Sequence, residues 1–240
     1  MQTLANPARF LRLANAVLPY MWTATICLLV IGLYGALVTA PADYQQGEAV
    51  RIMYVHVPAA WLSLLVYTAM ALASAIAVVF RHPLADAAAK TAAPIGAAFC
   101  FLALATGSLW GKPMWGTWWV WDARLTSMFL LFLFYLGYIS VWQAIEQPQR
   151  AALAARVVAL VGFINIPVIK FSVNWWNSLH QPASVFRLDG PTIASSMLWP
   201  LLVMGLAYTG LFLALHLVAL RSEIAERKLR QMRLAEIAER

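Results

Sequence analysis

Apolar residues gather into six long stretches along the chain, at about residues 20–40, 54–80, 91–109, 125–145, 157–171 and 193–220. A helix needs ~20 largely apolar residues to cross the hydrocarbon core of a bilayer, so each stretch predicts one transmembrane helix. Turn and charge signals fall between them: Pro41 with Asp43 and Gly47, Arg81-His82-Pro83, Gly111 with Pro113, Glu146-Gln147-Pro148, and the polar run 174–191. The predicted fold class is an all-α integral membrane protein, a six-transmembrane-helix bundle with both termini on one side.

Composition strengthens this reading. The 240 residues are 62% hydrophobic and 11% charged, with a mean hydropathy of +0.72. Soluble domains run at ~45–50% apolar and ~25% charged, so the surplus must face the lipid bilayer. The net charge of +7 does not indicate nucleic acid, because the basic residues are spread over loops and form no single basic face. Twelve of the 17 lie on the terminal side, including Arg9, Arg12, Arg81, Lys90, Arg150, Arg156 and the cluster from Arg221 to Arg240. Lysine and arginine accumulate in cytoplasmic loops, which makes both termini cytoplasmic. The connections 41–53, 110–124 and 172–192 then face the opposite compartment.

The first stretch is read as a retained span and not as a cleaved signal peptide. Before it, the amphipathic segment 10–18 is expected to lie along the inner interface before the chain turns into the bilayer. Residues 1–220 form the membrane domain, and 221–240 a charged tail predicted as a cytoplasmic helix. Glu223 and Arg227, Glu226 and Arg230, and Glu236 and Arg240 stand four apart in the favourable acid-first order. Cys27 and Cys100 sit singly inside apolar runs, without a Cys-x-x-Cys, and read as packing residues.

Candidate chemistry concentrates on the outward side. The connection 110–124 holds five tryptophans in twelve residues, Trp110, Trp115, Trp118, Trp119 and Trp121, spaced with Gly111 and Gly116. Indoles collect at membrane boundaries because the ring is apolar and its N–H seeks a wet partner. An interfacial belt needs only one or two per helix end, whereas this density reads as a floor for a flat hydrophobic ligand. Asp122 and Arg124 close the segment; they pair with each other, or Arg124 meets an anionic group of the ligand. Of four histidines, His56 and His180 belong to the outward side, while His82 reads as a loop residue and His216 as hydrogen-bonded within the bundle.

Two imidazoles flanking an aromatic platform point to a metal held axially within a planar macrocycle, that is, haem. Other classes remain open. A zinc hydrolase needs three protein ligands and a base, and the outward acids have no motif relation to the histidines. A secondary transporter would use broken helices and intramembrane charge, for which Lys170 and Asn165-Ile166-Pro167 are the weak signs. A b-type electron-transfer subunit would hold haem deep between helices.

The segment Trp115-Gly116-x-x-Trp119-x-Trp121-Asp122-x-Arg124 resembles the tryptophan-rich signature of the haem-handling proteins of cytochrome c maturation, and the resemblance covers nearly the whole chain except the tail. It implies a protein of the bacterial inner membrane that binds haem b at the periplasmic face and presents it to a periplasmic haem chaperone. Carried over, the axial ligands are His56 and His180, and the platform is Trp115, Trp119 and Trp121, with Gly116, Trp118, Asp122 and Arg124 in the same motif. Arg51, Arg124 and Arg187 are the outward arginines and hence candidate propionate partners. The resemblance also implies a two-subunit ABC transporter and a small single-span membrane subunit as company. The chain itself lacks a Gly-x-x-x-x-Gly-Lys-Ser/Thr nucleotide loop and is expected to deliver haem without being an enzyme.

Overall fold

The computed structural model describes residues 7–180 and 184–238. Among these residues seven α-helices follow one another: α1 (Pro7–Tyr34), α2 (Met53–Phe80), α3 (Pro83–Trp115), α4 (Ala123–Ala144), α5 (Pro148–Phe163), α6 (Asn165–Trp175) and α7 (Ser195–Ala238). A π-helical turn, Gly35–Thr39, extends α1, and a 3₁₀ turn, Glu48–Ile52, leads into α2. With α5 and α6 taken together, six segments among the described residues are long and apolar enough to cross a membrane.

Several boundaries follow directly from residue chemistry. Pro83 and Pro148 each open a helix, where a missing N–H costs nothing, and Arg81 turns the chain in the left-handed region at φ 51°. Other boundaries correct the sequence reading. Residues 10–18 are not a separate interfacial segment but the first turns of α1, because a run of strong helix formers carries the helix through Pro19. The signal at Gly111 and Pro113 does not break α3. Pro113 removes one backbone bond close to the helix end, and the stop comes at Gly116, whose left-handed φ of 75° lets its N–H reach the Lys112 carbonyl at 3.0 Å. Trp110 and Trp115 are therefore helical. The fifth apolar stretch is interrupted at Ile164, where Pro167 cannot donate to the preceding turn and the Asn165 amide donates instead to the Ser127 carbonyl of α4 at 2.8 Å. At the other end of the chain, α7 runs unbroken past residue 220.

The helix α2 lies centrally, packed on α3, α5 and α7, while α1 lies mainly along α7. A Cβ on Gly35, Gly32 or Gly210 would run into Trp199, Met204 or Thr25 respectively, so α1 and α7 pack closely and antiparallel through small residues. The start of α1 and the end of α7 thus lie at one end of the bundle. Polar contacts tie the interior together: Tyr67 Oη donates to the Val158 carbonyl at 3.0 Å and Tyr135 Oη to the Ser63 carbonyl at 2.7 Å. At the terminal end, Arg156 grips Asp86 through two bonds of 2.9 and 2.6 Å. Glu223 sits between Lys90 and Arg227, each at 2.7 Å, and His216 Nε2 meets the Ala88 carbonyl at 2.9 Å.

Candidate functional site

The end of the bundle opposite the termini is built from the start of α2, the end of α3, the start of α4, the end of α6 and the connections between them. They enclose a cavity of about 450 Å³, within the ~300–1,000 Å³ typical of small-molecule sites. His56, Trp61 and Leu64 come to it from α2, Gly107 and Trp115 from α3, Arg124 and Met128 from α4, and Ile169 and Lys170 from α6. Trp119, His180 and Arg187 complete it from the connections.

His56 lies in the first turn of α2 and approaches α3 closely: a Cβ on Gly107 would stand 2.9 Å from its ring. Its Nδ1 faces Thr106 Oγ1 at 3.1 Å, and the Trp110 ring meets it edge-on at 5.7 Å. Trp110 is itself fixed by an indole N–H bond to Gln46 at 2.9 Å, which fastens the first connection to α3.

His180 is held differently. Asp122 caps α4 by accepting the Leu125 N–H at 2.8 Å through Oδ1. Its second oxygen accepts the Ser178 hydroxyl at 2.5 Å and the His180 Nδ1–H at 3.2 Å, while Ser178 Oγ accepts the His180 backbone N–H at 3.1 Å. One helix-cap carboxylate thereby orients an imidazole 58 residues away. Burial pushes the Asp122 carboxyl upward, but the bonds from Leu125, Ser178 and His180 prevail and hold it below the usual carboxylate range. Burial lowers the His180 pKa, against the opposing pull of Asp122. Trp115 meets it edge-on at 4.9 Å.

In both imidazoles Nδ1 is occupied by a polar partner, the arrangement that fixes ring orientation in metal-ligating histidines. Two buried donors lining the cavity, Trp119 Nε1 and Arg124 Nε, have no hydrogen-bond partner. The described lining includes Arg124, Lys170 and Arg187 and no carboxylate. A hydrophobic, anionic ligand that accepts coordination by nitrogen matches this donor set.

The anticipated residues divide. His56, Trp115, Trp119, Arg124, His180 and Arg187 line the cavity together. Asp122 stands behind His180, to which it is hydrogen-bonded, and its charge also acts on Arg124. Gly116 is the turn that ends α3, and Trp118 and Trp121 are exposed, at 53% and 73%. Arg51 is elsewhere, bonded to Glu48 and, at 2.6 Å, to the Ala36 carbonyl. Arg187 lines the cavity while paired with Asp189 at 2.9 and 2.5 Å. Sequence reading did not single out Thr106 or Ser178; the only available hint was that Thr106 stands one helical turn before Trp110.

Fold and site together define a multi-pass helical membrane protein with a two-histidine, cation-lined cavity at one end of its bundle. A family profile described as Heme exporter protein C matches residues 1–235. Proteins named Heme exporter protein C are similar along most of their length. The Bradyrhizobium diazoefficiens protein is 60% identical over 96% of this chain and 88% of its own. The Haemophilus influenzae protein is 45% identical over 92% and 89%, and that of Paracoccus denitrificans 43% over 94% and 93%. The chain belongs to the Heme exporter protein C family.

Proposed function

We propose that the chain binds haem b in this cavity, with iron between Nε2 of His56 and Nε2 of His180, and presents it to a periplasmic haem chaperone during cytochrome c maturation. The observation that carries the reading is the convergence on one cavity of two imidazoles, one from α2 and one from the connection after α6, each with Nδ1 against a polar side chain; Nε2 would then be the nitrogen that takes the iron. Trp115 and Trp119 supply the apolar walls, and Arg124, with Lys170 at the rim, meets the propionates. Arg187, its charge met by Asp189, lines the same wall. Trp118 and Trp121, exposed beside the cavity, form the face offered to the chaperone. The iron chemistry belongs to the haem, whereas the protein orients it and keeps one edge accessible.

The cavity end faces the periplasm and both termini the cytoplasm of a bacterial inner-membrane protein, following the bias of basic residues toward the terminal side. The chain acts as a delivery subunit and not as an enzyme, alongside a two-subunit ABC transporter that supplies ATP hydrolysis and a small single-span subunit. The name shared by its relatives, Heme exporter protein C, supports this assignment.

An absorption spectrum of the purified protein tests it. The intact protein is expected to show a Soret band of six-coordinate haem, changed in both His56→Ala and His180→Ala. A haem-free protein that moves a solute in liposomes would instead support a transporter, and spectra identical in both variants would remove the two ligands.

A further inference from the structure

Which imidazole carries a proton on which nitrogen follows from the acceptors around it. The single Thr106 hydroxyl proton points to the Leu102 carbonyl at 2.6 Å, leaving the oxygen able only to accept from His56 Nδ1. His56 therefore bears its proton on Nδ1 and donates to a neutral oxygen. Around His180, the Ser178 hydroxyl proton goes to Asp122, and Asp122, ionised, can only accept. His180 too carries its proton on Nδ1, but it donates to a carboxylate. A carboxylate partner draws the N–H proton toward itself and raises the basicity of the opposite nitrogen, which a neutral oxygen does far less.

Resting on the function proposed above, we infer that the two haem ligands are unequal: His180, backed by Asp122 and Ser178, is the retaining ligand, and His56, backed by Thr106, is the one that yields at handover. Asp122, Ser178 and Thr106 are positioning residues that set this order. Their placement agrees with it. Asp122 is fixed by three donors, from Leu125, Ser178 and His180, and so pins the His180 connection to α4, whereas Thr106 turns its only proton away from the ligand. In the exchange, the iron–Nε2 bond to His56 breaks, its electron pair stays on the nitrogen, and an incoming donor of the acceptor protein supplies the replacing pair. No oxidant or reductant takes part.

The test uses the full-length, haem-loaded protein in detergent, with Asp122→Asn, Thr106→Val, His56→Ala and His180→Ala. Asparagine still caps α4 but is neutral. Asp122→Asn is expected to raise the haem midpoint potential and to speed haem loss to apomyoglobin about 10–100-fold. Thr106→Val should change either by a few-fold at most, and Thr106→Ser should restore it. His56→Ala should keep a five-coordinate, high-spin haem that binds added imidazole, and His180→Ala should lose its haem. Should Asp122→Asn aggregate, the comparison of the two alanine variants decides. Equal haem loss from both, or retention only in His180→Ala, overturns the ranking while leaving two-histidine binding intact. Absence of any Soret band from the unaltered protein defeats the underlying functional reading instead.

Discussion

At the terminal end of the bundle, ionisable side chains that enter the helix packing find partners within the chain: Arg156 with Asp86, Glu223 with Lys90 and Arg227, and His216 with a backbone carbonyl. At the cavity end, Arg124 Nε and Trp119 Nε1 are buried donors with no acceptor, and two histidines line the cavity with Nδ1 against a polar side chain. A buried polar group without a partner is costly. Trp142 Nε1 at the terminal end lacks a partner as well, so the difference lies in the charged groups and the cavity: the first end reads as a clamp of paired charges between helices, and the second as a site whose missing partners arrive with a ligand. Residue type alone does not distinguish them, since arginine and histidine occur at both.

Breaking the clamp should have the largest effect on stability and little on binding. Asp86→Ala leaves Arg156 without its two bonds and is expected to cost about 3 kcal/mol, the lower range for breaking a buried pair. The measured result would be a lower unfolding midpoint in detergent with an unchanged haem spectrum. Glu223→Gln should cost less, about 1–2 kcal/mol, because Lys90 and Arg227 are each about a third exposed and water screens them. If either change empties the haem site while leaving stability alone, the division between the two ends fails.

Arg124→Gln reverses the pattern. Removing a guanidinium whose buried Nε has no hydrogen-bond partner should leave the haem-free protein about as stable as before. The same change should weaken haem binding about tenfold, or 1.4 kcal/mol. Equilibrium titration with haem, set beside thermal unfolding of the haem-free protein, separates the two effects. A loss of stability without a loss of affinity would make Arg124 part of the scaffold.

The six spans were legible because apolar runs of this length have no other home, and Pro83 and Pro148 marked helix starts because proline fits there best. Hydropathy could not reveal the interruption at Ile164, since apolar residues continue across it and only Pro167 betrays it. Pro113 misled because a proline two residues before the end of a helix removes one backbone bond and can be accommodated there. At the site, tryptophan and histidine stood out through rarity and density. Thr106 and Ser178 are common residues whose roles depend on contacts 50 and 56 positions away, and nothing local announces them. Arg51 shows the limit of a charge-by-side argument: it identifies which end a residue occupies but not whether it reaches the cavity, and Glu48 and the Ala36 carbonyl hold Arg51 away from it.

The smallest effect belongs to Trp121, and it sharpens the contrast within the cavity end itself. Of the five clustered tryptophans, Trp110 is spent on Gln46 and His56, Trp115 and Trp119 line the cavity, and Trp118 and Trp121 face outward. Trp121 touches Trp119 and Phe129 edge-on, at 5.4 and 6.4 Å, but being 73% exposed it buries little area. Trp121→Ala is accordingly expected to shift stability by no more than about 0.5 kcal/mol and to leave the haem spectrum unchanged. On the proposed function, transfer of haem to the acceptor protein should nevertheless slow. Trp119→Ala should weaken haem binding directly, because it removes a wall and a buried N–H donor. If Trp121→Ala loosens haem as much as Trp119→Ala, the binding floor extends beyond the cavity and the outward indoles belong to the ligand, not to its recipient.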